Sequence, residues 1–222
     1  MTFTGRVALV TGGTRGIGAA IVTALRARGA TVHTCGHEVD VRDASTVKAF
    51  VATLGKIDIL VNNAGIFGPV ASALTYDLQD WNNVMAVNLT GQLITCQAVI
   101  PGMVQRGYGR VVNMSSVVGK DVNPLSPAYT CSKAGVIALT KCLGRELAKT
   151  GVTVNCVTPS ACRTSLFDGV AEDYIQQMLK KVPMERFVSV EEIANLVCWI
   201  ASDECSATTA AVFDITGGRS QY

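Results

Sequence analysis

Short apolar segments of strand length alternate along this chain with longer segments of helical spacing. The predicted strands cover residues 6–11, 31–35, 57–62, 110–115, 152–157 and 211–215, and the predicted helices cover residues 17–28, 44–54, 78–103, 128–150, 171–181 and 190–202. Strands and helices that alternate in this way predict an α/β fold, in which helices cover both faces of a doubly wound parallel sheet.

One connection in this pattern is too short. Only residues 36 and 37 separate the strand at 31–35 from the apolar and acidic stretch at 38–43. Neighbouring parallel strands need a crossover of about ten residues or more. We therefore expect a helix to be missing after the second strand, and the edge of the sheet to be thinned there.

The composition suits one domain over residues 1–222. Hydrophobic residues make up 49% of the chain and charged residues 16%, and the mean hydropathy is +0.33. Such an apolar chain suits a buried parallel sheet, with some helix faces buried between subunits.

Charge and cysteine usage exclude several classes of partner. The net charge of +2 predicts neither a nucleic acid nor a membrane as partner. The eight cysteines have no CxxC spacing and no histidine at ligand spacing. We therefore expect reduced thiols in a cytoplasmic protein, and no metal site.

A glycine-rich segment, TGGTRGIG at residues 11–18, follows the first predicted strand and opens the first helix. Gly12, Gly16 and Gly18 permit a tight turn, and the free N–H groups and dipole of a helix N-terminus favour anions. The segment predicts a site for the diphosphate of a nucleotide. The alternative is a glycine-rich turn that binds nothing.

The NNAG segment and Asn88 each allow two interpretations, a functional role and an ordinary structural one. NNAG at residues 62–65 ends the third strand, where α/β sheets bind ligands, although Asn and Gly are also ordinary turn residues. Asn88 falls inside a helical pattern, where an asparagine is most often solvated or hydrogen-bonded locally.

Tyr129 and Lys133 stand one helical turn apart, thirteen residues after Ser116. This spacing puts the phenol and the ammonium on one face of a helix, where the positive charge would lower the pKa of the phenol. A serine from an earlier strand end could hydrogen-bond a substrate oxygen. The three residues together predict a proton-transfer site.

In order and spacing, these segments resemble the short-chain dehydrogenase/reductase family, most of all its 3-oxoacyl-carrier-protein-reductase-like branch. The resemblance runs from Gly5 to Gly218 and includes NMSSVVG around Ser116 and the stretch from Pro159 to Thr164. It implies a Rossmann-type sheet, a nicotinamide cofactor and a small carbonyl or alcohol substrate. It also implies a homo-oligomer, a tetramer in which the helices at 78–103 and 128–150 pair across an interface.

The resemblance also implies roles for individual residues. Tyr129 matches the catalytic acid and base, and Lys133 matches the residue that binds the nicotinamide ribose. Ser116, rather than Ser115, matches the serine that polarises the substrate, and Asn88 matches the asparagine that holds a water in the proton relay. The full set predicted to bind the cofactor is Gly12, Thr14, Arg15, Gly16, Ile17, Gly18, His37, Asp40, Val41, Asn63, Ala64, Gly65, Tyr129, Lys133, Pro159, Cys162 and Thr164.

Three features depart from the family pattern. The usual Pro-Gly is Pro159-Ser160, which would make a positive φ less comfortable there. The usual Thr-Gly before the last strand is Thr209-Ala210. The chain is also shortened between Cys35 and Glu38, which bears on the match of Asp40 and Val41 to the residues around adenine.

The same shortening bears on which dinucleotide is used. NAD-dependent enzymes place an acid after the second strand, where it accepts from the ribose 2′-hydroxyl, and the matching residue here is Gly36. With Arg15 in the glycine-rich turn and His37 nearby, the sequence favours NADP(H) over NAD(H). The alternative is that Glu38 or Asp40 swings in to serve the 2′-hydroxyl.

The sequence therefore predicts an NAD(P)-dependent oxidoreductase that reduces a ketone, such as a 3-oxoacyl group, to an alcohol. The alternative is a non-catalytic nucleotide-binding scaffold of the same fold. The predicted walls of the substrate pocket are Phe67, Val118, Leu125, Leu166 and Phe167.

Overall fold

The computed structural model describes residues 1–36, 38–162, 176 and 179–220 of the chain. Six parallel strands form one sheet in the order β2-β1-β3-β4-β5-β6. The strands are β1 (Val7–Thr11), β2 (Thr31–Cys35), β3 (Ile59–Asn62), β4 (Gly109–Met114), β5 (Val152–Pro159) and β6 (Val212–Ile215). The predicted doubly wound α/β fold is confirmed.

Helices cover both faces of this sheet. They are α1 (Gly16–Ala27), α2 (Ala44–Thr53), α3 (Leu78–Met85), α4 (Gly91–Arg106), α5 (Pro127–Glu146) and α6 (Val190–Ile200). Short polar side chains begin several of them: Asp43 and Asp77 accept from the first free N–H groups of α2 and α3, and Ser189 forms a capping box with Glu192.

The core consists of two layers, one on each side of the sheet. β3, β4 and β5 are buried along their whole length, as expected for inner strands of a parallel sheet that helices cover on both faces. Val10 packs in one layer and Leu9 in the other, because successive strand residues point to opposite faces. Buried helix residues complete the layers, with Ile21, Leu25, Ile193 and Val197 on the first side and Cys96, Val99 and Met103 on the second.

The shortened connection after β2 is confirmed. No helix or strand occurs between Cys35 and α2 in the part of this connection that the structure describes, and β2 is the edge strand of the sheet. Arg26 partly covers this edge, since its Nη2 donates to Val32 O at 3.0 Å. β2 therefore forms the edge of the sheet, next to β1, the strand that the glycine-rich turn follows.

The helix predicted over residues 78–103 is continuous from Leu78 to Arg106, but it contains a π-helical stretch, Ala86–Thr90, that the periodicity did not predict. Such turns occur frequently at functional sites, and Asn88 lies in this one. By length and composition alone, this helix could cross a membrane. Core helices of soluble proteins pass the same test, and residues of α4 are buried in the second core layer.

The remaining helix predictions differ from the structure in detail. α5 ends at Glu146 rather than at residue 150. The helix predicted over 171–181 lies largely outside the described residues.

The expected strain occurs at a different residue. Ser160 is not among the non-glycine residues with positive φ, whereas Ala210, the other departure from the family pattern, has φ 59°.

Candidate active site

The glycine-rich turn closes against the end of β3. Asn63 Nδ2 donates to the carbonyl oxygens of Thr11 and Gly12, both at 3.0 Å, and Thr11 Oγ1 accepts from the backbone N–H groups of Asn63 and Ala64. A Cβ at Gly12 would lie 3.0 Å from Ala64 Cα, and a Cβ at Gly18 would collide with Gly12 O. The turn therefore presents bare backbone at the start of α1, as a bound diphosphate requires.

A cavity of about 860 Å³ begins at this turn and reaches Tyr129. Its size lies within the range of small-molecule and cofactor sites. Together with the bare backbone of the turn, it fits a nicotinamide dinucleotide. The predicted cofactor residues that line it are Gly12, Thr14, Arg15, Gly16, Ile17, Gly18, Asp40, Val41, Asn63, Ala64, Gly65, Tyr129, Lys133 and Pro159.

Three predicted cofactor residues are not among those that line the cavity. Cys162 is buried and forms an isolated parallel bridge with Val188, so its backbone contact with the cofactor stays a prediction. His37 and Thr164 lie outside the described residues.

Tyr129 lines one end of the cavity, and so does Ser115, whereas Ser116 lies beside Tyr129 and is not among the lining residues. Ser116 follows β4 and caps a short 3₁₀ turn, Val117–Gly119. Tyr129 lies in the first turn of α5. Burial raises the pKa of the Tyr129 phenol, and a side-chain hydrogen bond with Ser116 opposes this rise. Ser115 instead donates its hydroxyl to Lys133 O at 2.7 Å. Of the two serines, it is therefore Ser116 that contacts the phenol.

Lys133 is buried beneath this pair. Its Nζ donates to Met114 O at 2.9 Å and lies 5.6 Å from the centroid of the Tyr129 ring. Burial lowers the pKa of Lys133 to about 8, and the nearby Cys156 acts in the opposite direction. The expected lowering of the Tyr129 pKa by Lys133 does not appear in this structure: burial raises the pKa of the phenol, and the hydrogen bond with Ser116 is the contribution that opposes the rise.

Asn88 connects the π-helical stretch to the chain that follows β3. Its Oδ1 accepts from Ile66 N at 2.8 Å, and its Nδ2 donates to Ile66 O at 2.8 Å and to Ser132 Oγ at 3.1 Å. A Cβ at Gly65 would lie 3.2 Å from Asn88 Oδ1 and 3.6 Å from Lys133 Nζ. The amide thus positions the backbone beside Lys133, and a water-holding role for Asn88 stays a prediction.

A family model described as enoyl-(acyl carrier protein) reductase matches residues 33–220. The chain belongs to the short-chain dehydrogenase/reductase family. Members of this family are NAD(P)-dependent oxidoreductases, and so is this chain.

Three relatives support this membership over nearly the whole chain. The chain is 39% identical to the 2-dehydro-3-deoxy-L-rhamnonate dehydrogenase (NAD(+)) of Sphingomonas sp. (strain SKA58), across 99% of this chain and 97% of that protein. It is 34% identical to the 3-oxoacyl-[acyl-carrier-protein] reductase of Escherichia coli (strain K12), across 98% of each. The crystal structure of 3-oxoacyl-[acyl-carrier protein] reductase from Brucella melitensis ATCC 23457 matches with a TM-score of 0.94 and 32% identity, over 99% of this chain and 93% of that chain. The predicted family and branch are confirmed.

Arg42 and Asn83 of this short-chain dehydrogenase/reductase also line the cavity, although neither was predicted from the sequence. Arg42 Nη2 lies 2.6 Å from Asp40 Oδ2, and Arg42 Nη1 donates to Asn83 Oδ1 at 2.8 Å. Hydrogen bonds from Arg42 hold the pKa of Asp40 below its usual value. Asp40 and Arg42 lie in one turn, in which Asp43 N donates to Asp40 O at 3.0 Å, and no periodicity of the sequence signals that their side chains meet.

Proposed function

We propose that this chain reduces the carbonyl of a 3-oxoacyl or similar small molecule to an alcohol, with a reduced nicotinamide dinucleotide as cofactor. One observation carries the proposal. The cavity that begins at the glycine-rich turn reaches Tyr129 and Lys133, and Ser116 is hydrogen-bonded to Tyr129 there. A site for a dinucleotide and a site for proton transfer are thus joined.

Each of these residues has a separate role in the proposed reduction. The bound cofactor supplies the hydride. Ser116 and Tyr129 hydrogen-bond the carbonyl oxygen and stabilise the negative charge that develops on it. Tyr129 then donates its proton to that oxygen. With its pKa at about 8, Lys133 is mostly an ammonium at neutral pH, and as a hydrogen-bond donor it would hold the nicotinamide ribose of the cofactor.

Apolar side chains beside Tyr129 support a substrate with an apolar flank. The Phe67 ring packs against the Tyr129 ring with 4.8 Å between centroids, and it is 46% exposed. Leu125 is 52% exposed, and its carbonyl accepts from Ala71 N, which joins the two loops that carry these side chains. Val118 lies two residues after Ser116, and its N–H donates to Ser116 Oγ at 3.4 Å. The other predicted walls, Leu166 and Phe167, lie outside the described residues.

Arg106 and Arg110 are two basic residues that an acidic carrier protein could contact, but both are engaged within the chain. Arg110 lies at the start of β4, at the opposite end of the strand from Ser116, and pairs with Asp203. Arg106 donates to Ile57 O. The names of the relatives suggest two substrate classes, 3-oxoacyl thioesters and keto sugar acids. Neither class requires that the substrate be attached to a carrier protein.

A panel of ketones tests the proposal. Oxidation of NADH and of NADPH is followed with an acetoacetyl thioester, a cyclic ketone and a keto sugar acid. We expect turnover with at least one ketone, and a loss of about a hundredfold or more in Tyr129→Phe, with dinucleotide binding retained. Binding without turnover on every ketone would favour the non-catalytic scaffold, which the intact set of Asn88, Ser116, Tyr129 and Lys133 opposes.

The choice between the two dinucleotides depends on opposing features. Arg15 lines the cavity, is exposed, and forms no ion pair with any other described residue. It supports NADP(H), because a guanidinium binds a 2′-phosphate well. The carboxylate of Glu38, which lies beside Gly36, opposes this preference.

The proposal includes a homotetramer in the cytoplasm that binds neither membrane nor nucleic acid. All eight cysteines are free, which suits a reducing compartment. Uncharged residues of α5, among them Cys131, Ala134 and Ala138, are exposed and would be covered by a second subunit. Sedimentation of the protein at micromolar concentration tests this, and a stable monomer would reject the oligomer.

A further inference from the structure

We propose that Glu38 makes this enzyme select NAD(H), because its carboxylate occupies the place where the ribose 2′-hydroxyl of the adenosine half is recognised. This inference rests on the dinucleotide cofactor of the proposed function. The selecting acid then belongs to the shortened connection, two positions beyond Gly36, the residue that matches the acid of NAD-dependent enzymes.

The Glu38 side chain folds back onto the end of β2. Gly36 N donates to Glu38 Oε1 at 2.7 Å. A Cβ at Gly36 would lie 2.8 Å from Glu38 Oε2 and 3.2 Å from Thr14 Cγ2. The carboxylate therefore lies against Gly36 on the side that faces the glycine-rich turn, and both Gly36 and Thr14 line the cavity.

The missing crossover explains this placement. β2 ends at Cys35, and Val39 N approaches Gly36 O at 3.5 Å, so that the chain turns within three residues. A chain that went on into a crossover helix would carry Glu38 away from the strand end. Here the tight turn returns the carboxylate to Gly36, where no side chain of residue 36 competes for the space.

The chemistry of the placement discriminates between the two dinucleotides. A 2′-hydroxyl can donate to a carboxylate, as the acid of NAD-dependent enzymes requires. A 2′-phosphate would bring a second negative charge against Glu38, and like charges in contact are costly. It would also compete with Oε1 for the N–H of Gly36, which already donates to Glu38.

The negative charge of Glu38 also acts on its other neighbour. Burial raises the pKa of the Cys35 thiol to about 11, and the charge of Glu38 adds to this rise.

The second candidate acid is less suited to this role. Asp40 Oδ1 and Oδ2 both accept from Arg42, whose guanidinium also donates to Asn83. The charge of Asp40 is therefore compensated within the protein. Of the two carboxylates near the shortened connection, it is Glu38 that lies against Gly36, at the end of β2.

Direct titration tests the inference without any substrate. The dissociation constants of NADH and NADPH are measured by nucleotide fluorescence for the wild type, Glu38→Gln and the control Glu146→Gln. In the control, glutamine likewise replaces a glutamate, but at an exposed position at the C-terminal end of α5, whereas Tyr129 lies in the first turn of that helix. We expect the wild type and the control to bind NADH at least tenfold more tightly than NADPH. In Glu38→Gln, tighter binding of NADPH should shift this ratio by at least tenfold toward NADPH.

A second arm isolates the 2′-hydroxyl. With 2′-deoxy-NADH in place of NADH, the wild type should lose about tenfold in affinity and Glu38→Ala should lose less than threefold. If NADPH binds the wild type at least as tightly as NADH does, the inference is overturned and the preference assigned to Arg15 is supported. If Glu38→Gln moves the ratio by less than threefold, the inference is overturned as well, because the selectivity then does not come from Glu38. If the wild type binds neither dinucleotide, the proposed function itself fails.

Discussion

Replacement of Lys133 by methionine should make the folded protein more stable at neutral pH while it removes function. Burial lowers the pKa of Lys133 from 10.5 to about 8. Each pKa unit corresponds to about 1.4 kcal/mol, so the buried ammonium lowers the free energy of unfolding by about 3 kcal/mol at pH 7. This cost is the free energy that the variant recovers.

The sign of the pH dependence follows from proton linkage. The folded state gives up its proton near pH 8 and the unfolded state near pH 10.5, so the unfolded state binds more protons between these values and stability rises with pH there. The destabilisation is complete below pH 8 and declines to about 1 kcal/mol at pH 9.5. It vanishes above the unfolded-state pKa of 10.5.

One interaction is lost in the variant. Met114 O no longer accepts from Lys133 Nζ, but it still accepts from Gln92 Nε2 at 3.3 Å, so the loss is about 1 kcal/mol. We therefore expect Lys133→Met to exceed the wild type by about 2 kcal/mol at pH 7, and to be about equal to it at pH 9.5.

Urea denaturation without cofactor, at one protomer concentration, measures the difference at both pH values. The matched control is Lys48→Met on α2, where the lysine is exposed, and it should stay within about 0.5 kcal/mol of the wild type throughout. The reasoning would be refuted by a Lys133→Met protein that is less stable than the wild type at pH 7, or by a difference that does not change with pH. Loss of turnover and weaker cofactor binding in the stabilised variant would assign Lys133 to function.

The other predictions concern the two adjacent serines and one strained residue. Ser116→Ala should lower turnover by about a hundredfold, because a hydrogen bond to the developing charge is lost. Ser115→Ala should keep turnover within about tenfold of the wild type and lower the free energy of unfolding by about 1 kcal/mol. Equal losses of turnover in the two variants would contradict the assignment of Ser116. Ala210→Gly should raise the free energy of unfolding by about 0.5 to 1 kcal/mol, because it relieves a left-handed φ of 59°. A lower melting temperature for this variant would show that the Ala210 methyl contributes more through packing than its backbone costs.

Features that depend on neighbouring residues in the chain were predictable. The alternation of strands and helices, the glycine-rich turn and the Tyr129–Lys133 spacing follow from local periodicity and backbone sterics. The shortened connection after β2 was predicted as well, because a crossover has a minimum length. The family resemblance then named Ser116 over Ser115, and the contact between Ser116 and Tyr129 supports that choice.

Contacts between distant segments were decided only by the tertiary structure. The π-helical stretch carries Asn88 to Ile66, and no periodicity encodes that pairing. The pKa of the Tyr129 phenol is raised by burial rather than lowered by Lys133, and burial depends on every residue packed around the site. By its place in the sequence, the residue that matches the acid of NAD-dependent enzymes is Gly36, which has no side chain. The folded chain brings the Glu38 carboxylate there, because a turn sets where a side chain lies in space whatever its place in the sequence.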